Sequence, residues 1–345
     1  MKKQAVASAV LMGAAIVFQL SPAMGESPSE FYRGKSLRII VGNAAGGDYD
    51  LGGRLLAKYL GAHMPGNPTV IVQNMPGAAT ITATNYLYNK APRDGTVIGS
   101  FSRNIPSQAV LGQKNLEADP RKFGWIGGSS LPSRICAVAA ENPVKGPSDL
   151  FTQELIVAGS GAGSSLSIVP TVLNNVLGMK FNVVEGYQGI GAAIIALERG
   201  EVDGLCHTYS LFQTTHARLL KDGQLRLIMH VEEAPFADDP KVPSVYELAK
   251  TESQKQLLRF IFSSVEFGRP YVAPPGVPEE RLAALREAFA AALSDPGLIE
   301  EAKKSSIDMT YRPPQELEKL VQALYATPPE VITEVGKIVP SGGMN

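Results

Sequence analysis

The chain reads as a two-lobed α/β protein, each lobe a mostly parallel sheet flanked by helices, with a ligand cleft between the lobes. Three observations predict this. Strand-like and helix-like segments alternate with short connections, the alternation starts over beyond the first third of the chain, and glycine-rich stretches recur between a strand and the following helix. Such alternation gives a parallel sheet covered by helices on both faces, and a restart gives a second sheet. A length of 345 residues suits about two domains of roughly 100 to 200 residues each.

The elements follow in order. Residues 1–25 have Lys2 and Lys3 at the start, an uncharged apolar stretch from Ala5 to Leu20, then Ser21-Pro22 and small residues. This is the pattern of an export signal cleaved after Gly25, with Ser27 to Glu30 a flexible lead-in to the mature chain. "SLRIIV" reads as a strand, 50–62 as an amphipathic helix, "TVIVQ" as a strand, 79–90 as a helix and "TVIGSF" as a strand. A second series begins near 124 with "FGWIGGSS", "ICAVAA" and "ELIVAGS". It continues with a helix at 164–177, "FNVVEGY", a helix at 189–199, "VDGLCHT", a helix at 211–221 and "LRLIMHV". A less regular stretch, "SVYELAKTESQKQLLRFIF", precedes "GRPYVAPPGVP". The helix at 279–293 then carries Leu282, Leu285, Phe289 and Leu293 at helical spacing, opens after Pro278 and stops at Asp295-Pro296-Gly297. Helical patterns at 315–325 and 328–337 close the chain.

Composition narrows the function. With 44% hydrophobic residues, 19% charged and a net charge of −1, neither disorder nor a polybasic nucleic-acid surface is indicated. Cys136 and Cys206 read as two buried thiols on different strands, with export making a bridge chemically possible. His63, His207, His216 and His230 are scattered, without metal-ligand spacing, so no metal and no cofactor is expected.

In open α/β sheets ligands bind beyond the carboxyl ends of the strands, and there the chain repeats one device four times. Gly46 and Gly47 precede the first helix, Pro76 to Ala79 the second, Gly161, Gly163, Ser164 and Ser165 a helix of the second series, and Tyr187 and Gly189 another. Each offers bare backbone N–H groups and the positive end of a helix, a setting for a small carboxylated or phosphorylated ligand. Catalytic readings lack a fixing motif. The only Gly-Lys-Ser, 34–36, precedes a strand, and Gly159 to Gly163 has Gly161 where a nucleophile elbow needs serine. An enzyme is not expected. A hydrolase built on Ser164, His207 and Asp203 would require those three to be chosen freely.

These residues carry a family likeness. The chain resembles the extracytoplasmic receptors of tripartite tricarboxylate transporters, the Bug-type solute-binding proteins. The likeness rests on Gly46, Gly47, Asp50 and Arg54; on Pro76 to Ala78; on Ala91, Pro92, Asp94, Gly95 and Thr96; and on Gly161, Gly163 and Ser164. It continues through Tyr187 and Gly189, through Gly200, Val202 and Asp203, and through "VAPPGVPEERLAALREAFAAALSDP". The resemblance implies a type II-like periplasmic-binding-protein fold, with 27–131 plus 247–345 as lobe 1 and 132–246 as lobe 2. It also implies a monomer that binds a small organic carboxylate, a di- or tricarboxylate or an aromatic acid, and delivers it to an integral-membrane permease. A receptor for a membrane sensor kinase is the alternative. The ligand residues it implies are Asn43, Ala44, Gly46, Gly47, Tyr49, Asp50, Gly77, Ala78, Ala79, Thr80 and Ser102 in the first lobe. In the second they are Gly163, Ser164, Ser165, Tyr187, Gly189 and Asp203. The chain departs from the family's pattern at Gly42 and Asn43, at Ala79 and Thr80, and at an inserted-looking stretch, 251–259.

Some of these residues have plainer roles open to them. Asp50 reads either as the N-cap of the first helix or as a reader of a ligand hydroxyl or amine. Arg54 reads as the partner of a surface carboxylate, Tyr187 as core packing, and Asp203 as a hinge fixture.

Overall fold

The protein is described by a computed structural model covering residues 26–130, 133–161, 164–213 and 216–338. The expected signal segment, Gly163 and the side chain of Ser165 lie outside the described residues. The chain opens with α1 (Pro28–Tyr32), β1 (Ser36–Val41), α2 (Asp48–His63), β2 (Thr69–Asn74), α3 (Ile81–Asn89), β3 (Val97–Ser100), α4 (Ile105–Val110) and β4 (Gly124–Gly128). It continues through β5 (Arg134–Ala139), β6 (Leu155–Ala158), α5 (Ser165–Leu177), β7 (Phe181–Val184), α6 (Ile190–Glu198), β8 (Gly204–Thr208), α7 (Tyr209–Gln213), α8 (Ala217–Lys221) and β9 (Leu225–His230). The return comprises α9 (Glu252–Phe267), β10 (Pro270–Ala273), α10 (Glu279–Leu293), α11 (Pro296–Lys304), α12 (Pro314–Tyr325) and α13 (Pro329–Ile338).

Two five-stranded sheets result, ordered β2-β1-β3-β10-β4 and β7-β6-β8-β5-β9. In each, four strands run one way and the fifth, β10 or β5, runs against its two neighbours. The run at 124–128 does not open the second series; it pairs with β10 in the first sheet. One apolar cluster belongs to the first sheet, with Leu37, Tyr271 and Phe289, and one to the second, with Ile135, Leu205 and Phe212. A third includes Phe101 and Trp125 from the first sheet's side, Val157 and Phe181 from the second's, and Leu258, Phe260 and Phe267 of α9. Helix α9 therefore joins the sheets through continuous apolar packing, which removes large surfaces from water on that side of the molecule.

Three sequence expectations are corrected, and a fourth segment gains a structure. The segment at 251–259 forms the cap and first turns of α9. Thr251 caps α9 by accepting the Gln254 amide, and the Gln254 side chain accepts the Thr251 amide in return. Ser27 to Glu30 is not a flexible lead-in, because Ser27 and Glu30 form the same reciprocal cap on α1. The helix expected at 211–221 is two short ones, and Asp295 both follows α10 and caps α11 by accepting the Gly297 amide. Finally, Cys136 and Cys206 are not free thiols. They face each other in the antiparallel β5–β8 pair, with Cα atoms 4.0 Å apart, and are bonded. A pairing 70 residues apart in sequence depends on strand register, which composition does not reveal.

Candidate functional site

Strands β1, β2 and β3 run in parallel, so the loops after Val41, Asn74 and Ser100 share one edge of the first sheet. These loops are tied to one another. The Asn74 amide group donates to the Asn43 carbonyl at 3.0 Å and to Asp50 Oδ1 at 2.9 Å. The Ser102 amide donates to Thr80 Oγ1 at 2.9 Å, and the Arg103 amide to the Tyr49 hydroxyl at 3.1 Å. Gly42 has a steric reason: a Cβ there would stand 2.7 Å from that of Thr80. The second loop is strained, with Ala78, Ala79 and Thr80 all at positive φ (44°, 50° and 76°) in front of α3. The Thr80 hydroxyl and the bond from Thr84 Oγ1 to the Thr80 carbonyl hold it there. Asn43 Oδ1, in this cluster, is buried without a partner. The structure thus brings together the first-lobe residues from Asn43 to Asp50 and Gly77 to Thr80 with Ser102.

Asp50 is not the N-cap; Gly47 holds that position and has no side chain to contribute. Asp50 is 1% exposed. It accepts the Gly46 amide at 2.8 Å, Arg54 Nε at 2.9 Å and the Asn74 amide group, so it organises the loop from within. Burial alone would raise its pKa, but the hydrogen bonds from Arg54, Gly46 and Asn74 outweigh that and hold it below the ordinary carboxylate value. The partner of Arg54 is this buried Asp50 and not a surface acid. Asp48 instead meets Arg269 at 2.9 Å. Arg269 is 2% exposed and also donates to Ser129 and to the Asp308 carbonyl.

In the second sheet the edge beyond Ala158, Val184 and Thr208 gathers a similar cluster. Ser164 caps α5, accepting the Ser167 amide at 3.2 Å and donating to Ser167 Oγ at 3.0 Å. The Tyr187 amide donates to the Gly159 carbonyl, its ring packs partly buried on the second sheet's cluster, and Gly189 precedes α6. One acid, Glu185, already takes two donors of this cluster. Its Oε2 accepts the Gly161 amide at 2.6 Å and the Ser167 hydroxyl at 3.0 Å. Asp203 is not brought into the cluster. It precedes β8 at the opposite edge, where it exchanges bonds with Ile156.

A second group of side chains lies at the same edge. Because β5 runs antiparallel to β8, its first residue, Arg134, stands opposite Thr208, at that strand's carboxyl end. Arg134 is 9% exposed and its Nε is buried without a partner. Its pKa is pushed down to about 9 by burial and then by the charge of Arg103, with Glu232 opposing. Arg103 comes from the loop after β3, so a loop at the carboxyl edge of the first sheet lies within reach of the Arg134 charge. His207 is pushed down to about 4 by burial and by Arg134, and its Nδ1 is buried and unpartnered.

A family model described as the tripartite tricarboxylate transporter family receptor matches residues 56–337. The chain belongs to this receptor family. The receptor is 23% identical over 342 residues to a Cupriavidus necator protein named "UPF0065 protein in gbd 5'region", covering 97% of this chain and 98% of that protein. In fold it is similar to a TctC solute binding protein from Polaromonas solved with no ligand, with a TM-score of 0.68, 19% identity, and 88% of this chain and 99% of that chain covered. It is also similar to R. palustris Rpa4515 with adipate, with a TM-score of 0.55, 20% identity, and coverage of 88% and 98%. The family is one of solute-binding receptors and not of enzymes.

A cavity of about 510 Å³ between α9 and α12 of the receptor, lined by Glu233, Arg259, Glu266 and Leu324 among others, contains none of the loop residues. Sequence reasoning missed Arg103, Arg134 and Glu185. The available signal was positional: each lies within a few residues of a strand terminus at the carboxyl edge of its sheet. Among the described residues, no helix is long and apolar enough to cross a membrane.

Proposed function

We propose that the protein is a periplasmic receptor that captures a small organic carboxylate between two lobes, 27–131 plus 247–345 and 132–246, and delivers it to a tripartite tricarboxylate-type permease. Residues 1–25 serve as its export signal. The observation that carries this reading is the joining of three glycine- and hydroxyl-rich loops at one sheet edge, facing a second such edge, in a chain of this receptor family. A carboxylate ligand agrees with the adipate found with R. palustris Rpa4515, a structural relative. Asn43, Ala44, Gly46, Gly47, Tyr49, Gly77 to Thr80 and Ser102 hold one carboxylate, mostly through backbone donors. Gly163, Ser164, Ser165, Tyr187 and Gly189 close from the other lobe by a hinge motion. Asp50 supports the first loop, and Asp203 supports its sheet.

Thermal unfolding of the purified protein with a panel of mono-, di- and tricarboxylates and aromatic acids tests this. A true ligand at about 100 times its Kd adds about 2.7 kcal/mol. A panel that leaves the unfolding temperature unmoved throughout overturns the reading.

A further inference from the structure

We propose that Arg134, with Arg103 across the cleft and His207 beside it, receives a second anionic group of the ligand, so that the protein selects organic dianions over monoanions. This rests on the carboxylate-receptor reading above and adds to it the charge of the ligand and the side chains that read it.

Arg134 is a guanidinium held out of water with its Nε unpartnered and no direct ion pair among the described residues. A guanidinium removed from water is normally paired, since an unpaired buried charge is costly. Among the described residues Arg134 makes no ion pair, and the neighbouring charge from the other lobe, Arg103, is of the same sign. Glu232 acts on Arg134 through space and makes no ion pair with its guanidinium. Its Oε1 accepts the Arg134 backbone amide at 2.7 Å, and its Oε2 meets His230 Nδ1 at 3.0 Å. The remaining arginines at these edges are committed, Arg54 to Asp50 and Arg269 to Asp48. In the second-lobe glycine loop, Glu185 already takes two donors, the Gly161 amide and the Ser167 hydroxyl.

What remains is a cationic pair contributed by both lobes, with an unpartnered imidazole nitrogen alongside. A planar guanidinium fork fits a carboxylate's two oxygens. The first-lobe loops offer backbone donors for one carboxylate, and Arg134 and Arg103 offer charge for another. An anion placed between the two arginines replaces their repulsion with two attractions, which couples the second charge of the ligand to closure of the lobes.

Calorimetric titration of the purified full chain with straight-chain diacids, adipate among them, and with their monomethyl esters tests this. The ester keeps length and removes one charge. The wild type is expected to bind at least one diacid about tenfold or more tighter than its ester. Arg134→Gln is expected to erase that preference while leaving ester affinity within about twofold. Arg103→Gln, at a less buried position, makes the same test should the buried substitution unfold the protein, as circular dichroism would report. A diacid preference that survives in the folded variants, or an equal loss for diacid and ester, overturns this inference and leaves the receptor reading standing. Failure of the wild type to bind any diacid or ester also overturns this inference, while the receptor reading itself falls only if the wider carboxylate panel gives no shift either.

Discussion

Replacing Asp50 with asparagine keeps the shape of the side chain and removes its charge, at the point where three donors converge. Oδ2 receives the Gly46 amide and Arg54 Nε, and Oδ1 receives the Asn74 amide group. In either orientation an asparagine NH₂ faces a donor. The less costly orientation gives up the Asn74 bond, a charged one of about 1.5–3 kcal/mol, and weakens the Gly46 bond by about 1 kcal/mol. The Arg54 guanidinium is half-exposed, so water replaces what it loses and it is left out of the sum. The expected cost is about 3 kcal/mol, or about 4 °C for a cooperative unit of roughly 320 residues. Urea unfolding followed by circular dichroism at pH 7 measures it. The cost should also depend on pH. The folded pKa of Asp50 lies below its unfolded value, so the stabilisation is present above the unfolded pKa of about 3.9 and is lost as pH falls through the folded one. A variant within about 0.5 kcal/mol of wild type at pH 7, or one whose only change is in ligand choice, would refute the supporting role assigned to Asp50.

Three further outcomes follow from the same geometry. His207 is held neutral down to about pH 4 in the fold but protonates near 6.5 when unfolded. Stability should therefore fall by up to about 3 kcal/mol as pH drops through that window, and the slope between about pH 6.5 and 5 should flatten in His207→Gln in a pH series of melts. The Cys136–Cys206 bridge closes a loop of 70 residues. The double alanine variant should lose about 2–4 kcal/mol in denaturant titration. Gly42→Ala places a methyl 2.7 Å from the Thr80 Cβ; it should cost about 1–3 kcal/mol and weaken carboxylate binding by displacing the second loop, both readable in one thermal-shift series.

Local pattern made the alternating elements and the glycine loops legible, because strand periodicity, helix stops and βα turns are written within a few residues of each other. The helix at 279–293 is an instance: its apolar spacing and its flanking Pro278 and Asp295 mark both ends. Two further local signals, the reciprocal caps Ser27-x-x-Glu30 and Thr251-x-x-Gln254, are legible only to a reading that looks for caps as well as periodicity. The rest depends on contacts distant in sequence. The cysteine pair needs the β5–β8 register. Trp125 reads as part of a second series until β4 is seen beside β10. Arg134, a charged residue at the start of a strand, resembles a surface position until the edge of the other sheet, with Arg103, is set against it. Glu185 is a polar loop residue whose carboxylate turns out to fill the turn that its own glycines make.

Hydrogen exchange with and without a saturating carboxylate ligand tests the clamp most directly, because protection of amides reports which backbone the ligand orders. Peptides spanning 42–50, 77–82 and 102–104 in one lobe and 159–161, 164–167 and 185–190 in the other should slow together. Protection confined to the α9–α12 cavity, or to one lobe alone, would contradict it.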